Sequence, residues 1–252
     1  MALAHSSYRR VARGNLEYLM KKLTLLVVTT ALLASTGLLF GATAEPFNGK
    51  DLTGWKARAD GTTASQWKVG SAKPSATDPK LLTVSPGGHE LINDTKGHGQ
   101  SLDLYSTEVF GDVIITLEVM VPEESNSGIY VMGEYEVQVL DSFGKDANPG
   151  PGDMGAIYGA QPPKNPKYRK PGEWSQYEIR WQAPRFDAEG KKIANGKFLK
   201  VILNDRVIHE NLEMTQPTPG GVDGKEKAKG PIMFQGNHGP VSYRNIRVRP
   251  LK

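Results

Sequence analysis

From Glu45 onward, apolar residues recur at every second position, the period of a half-buried β-strand. In Asp112–Val121, Val113, Ile115, Leu117, Val119 and Val121 share one face. In Tyr135–Leu140, Val137 and Val139 alternate with Glu136 and Gln138, and in Glu173–Gln182, Tyr177, Ile179 and Trp181 alternate with Gln176, Glu178 and Arg180. Lys197–Leu203 runs through Asn204-Asp205 into Arg206–His209, and such a pair between two strand patterns predicts a tight hairpin turn. Pro231–Gln235 and Val241–Arg249 read as closing strands. No 3.6-residue period is sustained. The pattern predicts ten to twelve short strands with one helical turn at most, hence an all-β sandwich of two sheets.

Two stretches break the rhythm. Ser142–Gly172 holds six Gly and six Pro. It far exceeds the usual connection of about 4–6 residues. Its centre, Gly155-Ala156-Ile157-Tyr158-Gly159, carries apolar anchors, so it is expected to fold over a sheet. Thr215–Lys229, a second irregular stretch, is expected to be a solvated surface loop. Trp55, Trp67 and Trp181 are assigned to the core.

The first 44 residues differ in kind. Lys21-Lys22 precede an apolar run, Leu23 to Phe40, and Ala42-Thr43-Ala44 offer small residues at −3 and −1 of a cut before Glu45. This is the layout of an export signal. Residues 1–44 are therefore read as a leader and 45–252 as one domain, periplasmic or secreted, with no membrane attachment after cleavage. The alternative is a retained anchor, since the run is nearly long enough to span a bilayer. Residues 1–19 look unlike a signal start, and Met20-Lys21-Lys22 would be an ordinary one.

Charge sharpens the picture. Of the 31 basic residues five lie in 1–44, and of the 27 acids one does, which leaves 26 of each in 45–252. The body is neutral, so a nucleic-acid partner is disfavoured. The chain has no cysteine. That excludes disulfides, cysteine-ligated metals and a cysteine nucleophile. His89, His98 and His209 have no metal-ligand spacing, and no phosphate-loop or nucleophile-elbow motif is present. The sequence asks for neither a metal nor a cofactor.

Several segments together resemble one family. Pro46-Phe47-Asn48-Gly49-Lys50-Asp51-Leu52-Thr53-Gly54-Trp55 is similar to its opening motif, Asn126-Ser127-Gly128-Ile129-Tyr130 to its "NSGIY", and Tyr135 through Asp141 to its "YExQxxD". Gly155–Gly159, Gly172-Glu173-Trp174, Gly230-Pro231-Ile232 through Gln235, His238-Gly239 and Tyr243-Arg244-Asn245-Ile246 follow in the family's order. The chain thus resembles the 3-keto-disaccharide hydrolase domain family over essentially all of 46–250. Ser175 stands where that family usually has Asn, and Asn204-Asp205 where it has Asn-Gly. The resemblance implies a concanavalin-A-like jelly roll acting outside the cytoplasm on a small oxidised glycoside.

The candidate chemistry follows from both lines. Glu136 and Gln138 share the strand face opposite Val137 and Val139, towards solvent or a concave groove. Asp141, five residues on, joins them only through a bulge or twist. The spacing is similar to the paired carboxylates of jelly-roll glucanases, but Gln138 replaces the middle acid. On a 3-keto sugar, a base takes the proton at C2, donors hold the enolate, and the group at C1 leaves. Glu136 or His238 could be the base, Asp141 the acid or an orienting group, and Arg180, Arg244 or Lys170 the enolate donor. Trp174 and Tyr158 could stack on a pyranose ring, though Trp174 could equally be core, and His238 could be a turn residue without a role. Asn126, Tyr130, Gln138 and Gln235 complete the expected sugar contacts. Three readings stay open: an enzyme on 3-keto-glycosides, a non-catalytic carbohydrate-binding module, and a conventional glucanase-like hydrolase.

Overall fold

The computed structural model describes residues 43–251. The leader lies outside them except for its last two residues. One of these, Ala44, exchanges two backbone hydrogen bonds with Val248, at 2.7 and 2.8 Å.

The strands are β1 (Trp55–Ala57), β2 (Trp67–Pro74), β3 (Leu82–Asn93), β4 (Leu104–Ser106), β5 (Val113–Met120), β6 (Asn126–Val131), β7 (Tyr135–Leu140), β8 (Ser175–Gln182), β9 (Arg185–Phe186), β10 (Lys192–Ala194), β11 (Gly196–Leu203), β12 (Arg206–Met214), β13 (Met233–Phe234) and β14 (Val241–Pro250). They exceed the expected ten to twelve because β1, β4, β9, β10 and β13 are only two or three residues long. So short a strand shows no period. No helical turn occurs among the described residues.

Two antiparallel sheets face each other. The larger has the order β12-β11-β8-β5-β14-β3-β2, the smaller β1-β4-β13-β6-β7, and β9 and β10 form a separate ribbon. The period-2 faces meet between them. Ile115, Leu117, Val119, Tyr177, Ile179, Trp181 and Phe198 come from the larger sheet, and Leu104, Ile129, Val137, Val139 and Phe234 from the smaller. Trp55, Trp67 and Trp181 are all core. Asn204 and Asp205 both adopt positive φ, 48° and 65°, between Leu203 and Arg206. That is the turn demanded by the right-handed twist of a two-residue hairpin.

Because successive side chains alternate, whatever opposes the core on the smaller sheet lies on its outer face. Both long loops dock along the free edge of β7, from which Tyr158, Pro219 and Gly220 reach over that face. Ile157 is fully buried and bridges Val137. Ala156 O accepts from Gln138 N, and Tyr158 N donates to Glu136 O. The second loop departs from expectation. Thr218 is buried, its hydroxyl accepting from Glu136 N at 2.9 Å and donating to Glu134 O at 3.1 Å. Glu134, also buried, accepts from Asp223 N and Gly224 N. Thr215–Lys229 is therefore strapped to the sheet and is no free surface loop. Polar side chains gripping backbone groups hold it, which leaves no apolar signature in the sequence.

Candidate active site

Cross-strand register assembles the site. Tyr130 pairs with Glu136, and Gly128 with Gln138, on adjacent strands. Phe234 pairs with Ile129 on one side and Leu104 on the other. Continuing one residue places Gln235 beside Gly128, where Gln235 N donates to Gly128 O at 2.9 Å. The same step puts Asp103 beside Gln235, and Gly236 N donates to Asp103 Oδ1 at 2.9 Å. One row thus runs across the outer face, Asp103–Gln235–Gly128–Gln138, with Tyr130 and Glu136 in the row beside it. Gly128 has a steric reason to be glycine: a Cβ there would lie 2.3 Å from Glu136 Oε1. The carboxyl of Glu136 lies over this gap.

The two loops and the end of β13 wall in a cleft of about 250 Å³ lined by Asn126, Tyr130, Glu136, Gln138, Tyr158, Pro219, Gly220, Gln235 and His238. Seven of the sequence-selected residues meet here: Asn126, Tyr130, Glu136, Gln138, Tyr158, Gln235 and His238. Of the two surroundings expected for Glu136, solvent or a concave groove, the structure shows the groove. Glu136 points to the predicted side and, at 2% exposure, is roofed by the loops.

Burial governs its chemistry. Desolvation pushes the Glu136 carboxyl up to about 7. The Tyr130 hydroxyl, donating to Oε2 at 2.9 Å, works against this, and the nearby Asp103 charge adds to it. Tyr130 Oη also lies 3.1 Å from Pro219 O. Its single proton can serve the carboxylate, or turn to Pro219 once Glu136 is protonated and becomes a donor itself. Burial holds the phenol of Tyr130 far above its ordinary range, so it stays a neutral donor.

His238 sits in the turn after β13, which Asn93 pins by donating to Gly236 O and Gly239 O at 2.7 and 2.9 Å. Its Nδ1 lies 2.5 Å from Asn237 Oδ1, an acceptor, so the proton is on Nδ1. Nε2 makes no hydrogen bond among the described residues and is the basic nitrogen. Burial, then the neighbouring His98, lower its pKa, while Asp103 opposes them. The imidazole is neutral at pH 7. The remaining lining is amide. Gln138 Oε1 accepts from Val139 N, which leaves its NH₂ for the cleft. Asn126 Oδ1 and Gln235 Oε1 are buried without a partner. Buried acceptors of this kind call for donors from a ligand.

The other selected residues lie elsewhere. Asp141 caps the ends of the β6–β7 hairpin, accepting from Glu124 N and Phe143 N, so no second carboxylate faces Glu136 from that position. Lys170 is exposed, 5.9 Å over the Phe143 ring. Arg180, Arg244 and Trp174 belong to the outer face of the larger sheet. Tyr177, Ile179 and Trp181 fill the core, so strand alternation turns Arg180 outward, where it pairs with Glu178 at 2.6 Å. Arg244 pairs with Glu118 at 2.6 Å and stacks 3.9 Å over Trp174. A larger groove of about 480 Å³ lies on that face, but of its three acids Glu118 and Glu178 are already paired with these arginines, and the third, Asp205, sits in the β11–β12 turn. Sequence reading missed Asp103, Thr218, Pro219 and Gly220. Asp103 sits one residue outside a three-residue strand, where no pattern marks it.

A family profile, the 3-keto-alpha-glucoside-1,2-lyase-like domain, matches residues 43–249. The chain belongs to this family. Among solved structures, a candidate glycosyl hydrolase from Parabacteroides distasonis is similar at 29% identity over 84% of each chain, with a TM-score of 0.62. A second candidate glycosyl hydrolase from the same organism, 17% identical over 83% of this chain and 94% of its own, has a TM-score of 0.54 and shares the fold. No match emerges among curated proteins. Family membership and fold together support a carbohydrate-directed, hydrolase- or lyase-type role. Among the described residues no group of His, Asp and Glu side chains is arranged to hold a metal ion.

Proposed function

We propose that this protein cleaves 3-keto-glycosides by elimination, with Glu136 as the base. The observation that carries the reading is a single buried carboxyl, held at about 7, in a cleft of neutral amides that includes two unpartnered acceptors. A base working near neutral pH needs that pKa. The C3 carbonyl acidifies the proton on C2. Glu136 takes that proton, and the C2–H electrons form the C2=C3 enolate. The amide NH₂ groups of Gln138, Gln235 and Asn126 are the donors in reach of the enolate oxygen. The enolate collapses to C1=C2, the C1–O1 bond breaks, and O1 recovers the proton from Glu136. The products are a free alcohol and a 1,2-unsaturated 3-keto sugar. Where hydrolysis is the net result, water adds its oxygen to C1. His238 Nε2 accepts the water's proton and returns it to C2.

Glu136→Gln keeps shape and hydrogen bonding but cannot take a proton. General acid–base catalysis is worth about 10²–10⁴-fold, so the variant should bind a 3-keto-glycoside and turn it over at least about 100-fold more slowly. Full activity in that variant would move the base to His238. The unpartnered amide acceptors favour a second reading, a binding module without turnover. Binding by the wild type with no release of aglycone would establish it. A glucanase-type double displacement fits poorly, because it needs two carboxyls about 5 Å apart across the cleft and Asp141 is committed to backbone donors.

Export to the periplasm or medium is proposed on the leader pattern of Lys21 to Ala44. Mass spectrometry of extracytoplasmic protein should find an N-terminus at or within a few residues of Glu45. An N-terminus at Met1 or Met20 would refute cleavage.

A further inference from the structure

The row of outer-face positions does not end at Asp103. Arg58 N donates to Asp103 O at 2.8 Å, which extends the register by one strand. Beyond Asp103 opens a second cleft of about 410 Å³, lined by Arg58, Ala59, Asp60, Ser101, Asp103 and Asn237, among others. It shares its walls with the first. Arg58 Nη1 donates to Gly220 O at 3.3 Å, and Gly220 lines the Glu136 cleft. Asn237 lines the second cleft and its neighbour His238 the first. Gly99, on the far wall, donates to Asn237 O at 2.7 Å. The two clefts are therefore neighbours on either side of the Gln235–Asp103 step of the row.

The chemistry of this cleft is uniform. It has no aromatic side chain and one large apolar one, Leu102. The Arg58 guanidinium makes a single hydrogen bond to protein among the described residues and lies 3.6 Å from Asp103 Oδ2, so four of the donors a guanidinium carries are free of a hydrogen bond to protein. Asp103 is buried to 7% exposure and commits only Oδ1, to Gly236 N. Asp60 Oδ1 is occupied by the amides of Thr62 and Thr63. One guanidinium, two carboxylates and an amide set donors and acceptors side by side, which suits an uncharged group rich in hydroxyls and disfavours an anionic one. They do not suit a flat aromatic one, which would strand these polar groups without partners. The Glu136 cleft, at about 250 Å³, falls below the roughly 300–1,000 Å³ of sites that enclose a drug-sized ligand. It has room for one sugar ring and not two.

We propose that the Arg58–Asp103–Asn237 cleft is the leaving-group subsite, binding the polyhydroxylated group attached at C1 of the sugar that sits over Glu136. This rests on the reading of Glu136 as the elimination centre. Its test is a binding measurement that does not depend on turnover. In the Glu136→Gln protein, calorimetry would compare a 3-keto-disaccharide, methyl 3-keto-glucoside and 4-nitrophenyl 3-keto-glucoside. The disaccharide should bind about tenfold or more tightly than the methyl glycoside, the range expected for one or two hydrogen bonds to charged groups. The nitrophenyl glycoside should resemble the methyl one. Ala59→Trp, which fills the second cleft from an exposed position, and Arg58→Gln should each abolish the disaccharide's advantage and leave the methyl glycoside within about twofold. Equal affinities, an advantage that survives both variants, or a nitrophenyl glycoside that binds as tightly as the disaccharide would overturn the subsite. A wild type that releases aglycone from none of the three refutes the elimination centre instead, and the affinities still decide whether the second cleft holds the second sugar.

Discussion

A carboxyl that titrates near 7 is half ionised at neutral pH, and the group that most directly opposes a still higher value is the Tyr130 hydroxyl. That bond favours the charged form, so removing it should raise the pKa of Glu136 further. If Glu136 is the base, kcat/KM should rise with pH through a limb near 7. Tyr130→Phe should move this limb to higher pH and lower activity more at pH 6 than at pH 8. A limb that stays in place would mean that the titration seen in the rate belongs to His238 or to the substrate. The sequence carried part of this residue-level picture. The alternation around Val137 and Val139 was enough to put Glu136 and Gln138 on the face opposite the core, because strand parity is a local property. The roof over Glu136 was legible only in part: Ser142–Gly172 announced itself through its apolar centre, whereas Thr218 and Pro219, more than 80 positions further along the chain, gave no signal. Asp141 looked like its partner only because spacing along one strand is visible in a sequence and cross-strand register is not. The residue that does influence Glu136, Asp103, lies three strands across the sheet and 33 positions earlier in the chain.

Among the elements, the long strands were legible and the connections only in part. Asp112–Val121, Glu173–Gln182 and the Asn204-Asp205 hairpin obey period 2 and turn chemistry, and all three form as expected. Ser142–Gly172 revealed its docking through Ile157, an apolar anchor. Thr215–Lys229 docks through hydrogen bonds instead, and Thr218 is its rivet. Thr218→Val keeps the volume but removes the acceptor for Glu136 N and the donor to Glu134 O. A buried donor left unsatisfied costs about 1–3 kcal/mol. The variant should melt earlier by an amount of that order, and hydrogen exchange should quicken across 215–229 and at Glu136 N. Because Pro219 and Gly220 line the cleft, KM should rise more than kcat falls. Unchanged exchange in 215–229 would mean that the Glu134 contacts alone secure the strap.

For the whole molecule, two buried groups pull the pH dependence of stability in opposite directions. Glu136 has a folded pKa of about 7 against an ordinary value of 4.5. Between these values the folded state binds more protons than the unfolded one, so this group's contribution is intact below about 4.5 and is lost as pH rises to 7. The ceiling of that loss is about 3 kcal/mol. His209 behaves oppositely. It is 1% exposed, Nε2 donates to Gly155 O at 2.8 Å, and burial lowers its pKa. Below about 6.5 the unfolded state binds the extra proton, so stability falls as pH falls. Asp94, Asp112 and Asp153, held low by ion pairs and backbone donors, lose their contributions only under stronger acid. The two windows overlap below about pH 6.5, where the terms oppose each other. Glu136→Gln removes one of them. Its melting temperature should climb with pH from 5 to 7 and exceed that of the wild type at pH 8, the mark of a site that gives up stability to keep a carboxyl poised. Thermal melts of the two proteins at pH 5, 6, 7 and 8 decide the matter. A variant less stable than wild type at pH 8 would mean that the Glu136 carboxylate is solvated in the open cleft, and its titration near 7 would have to be abandoned.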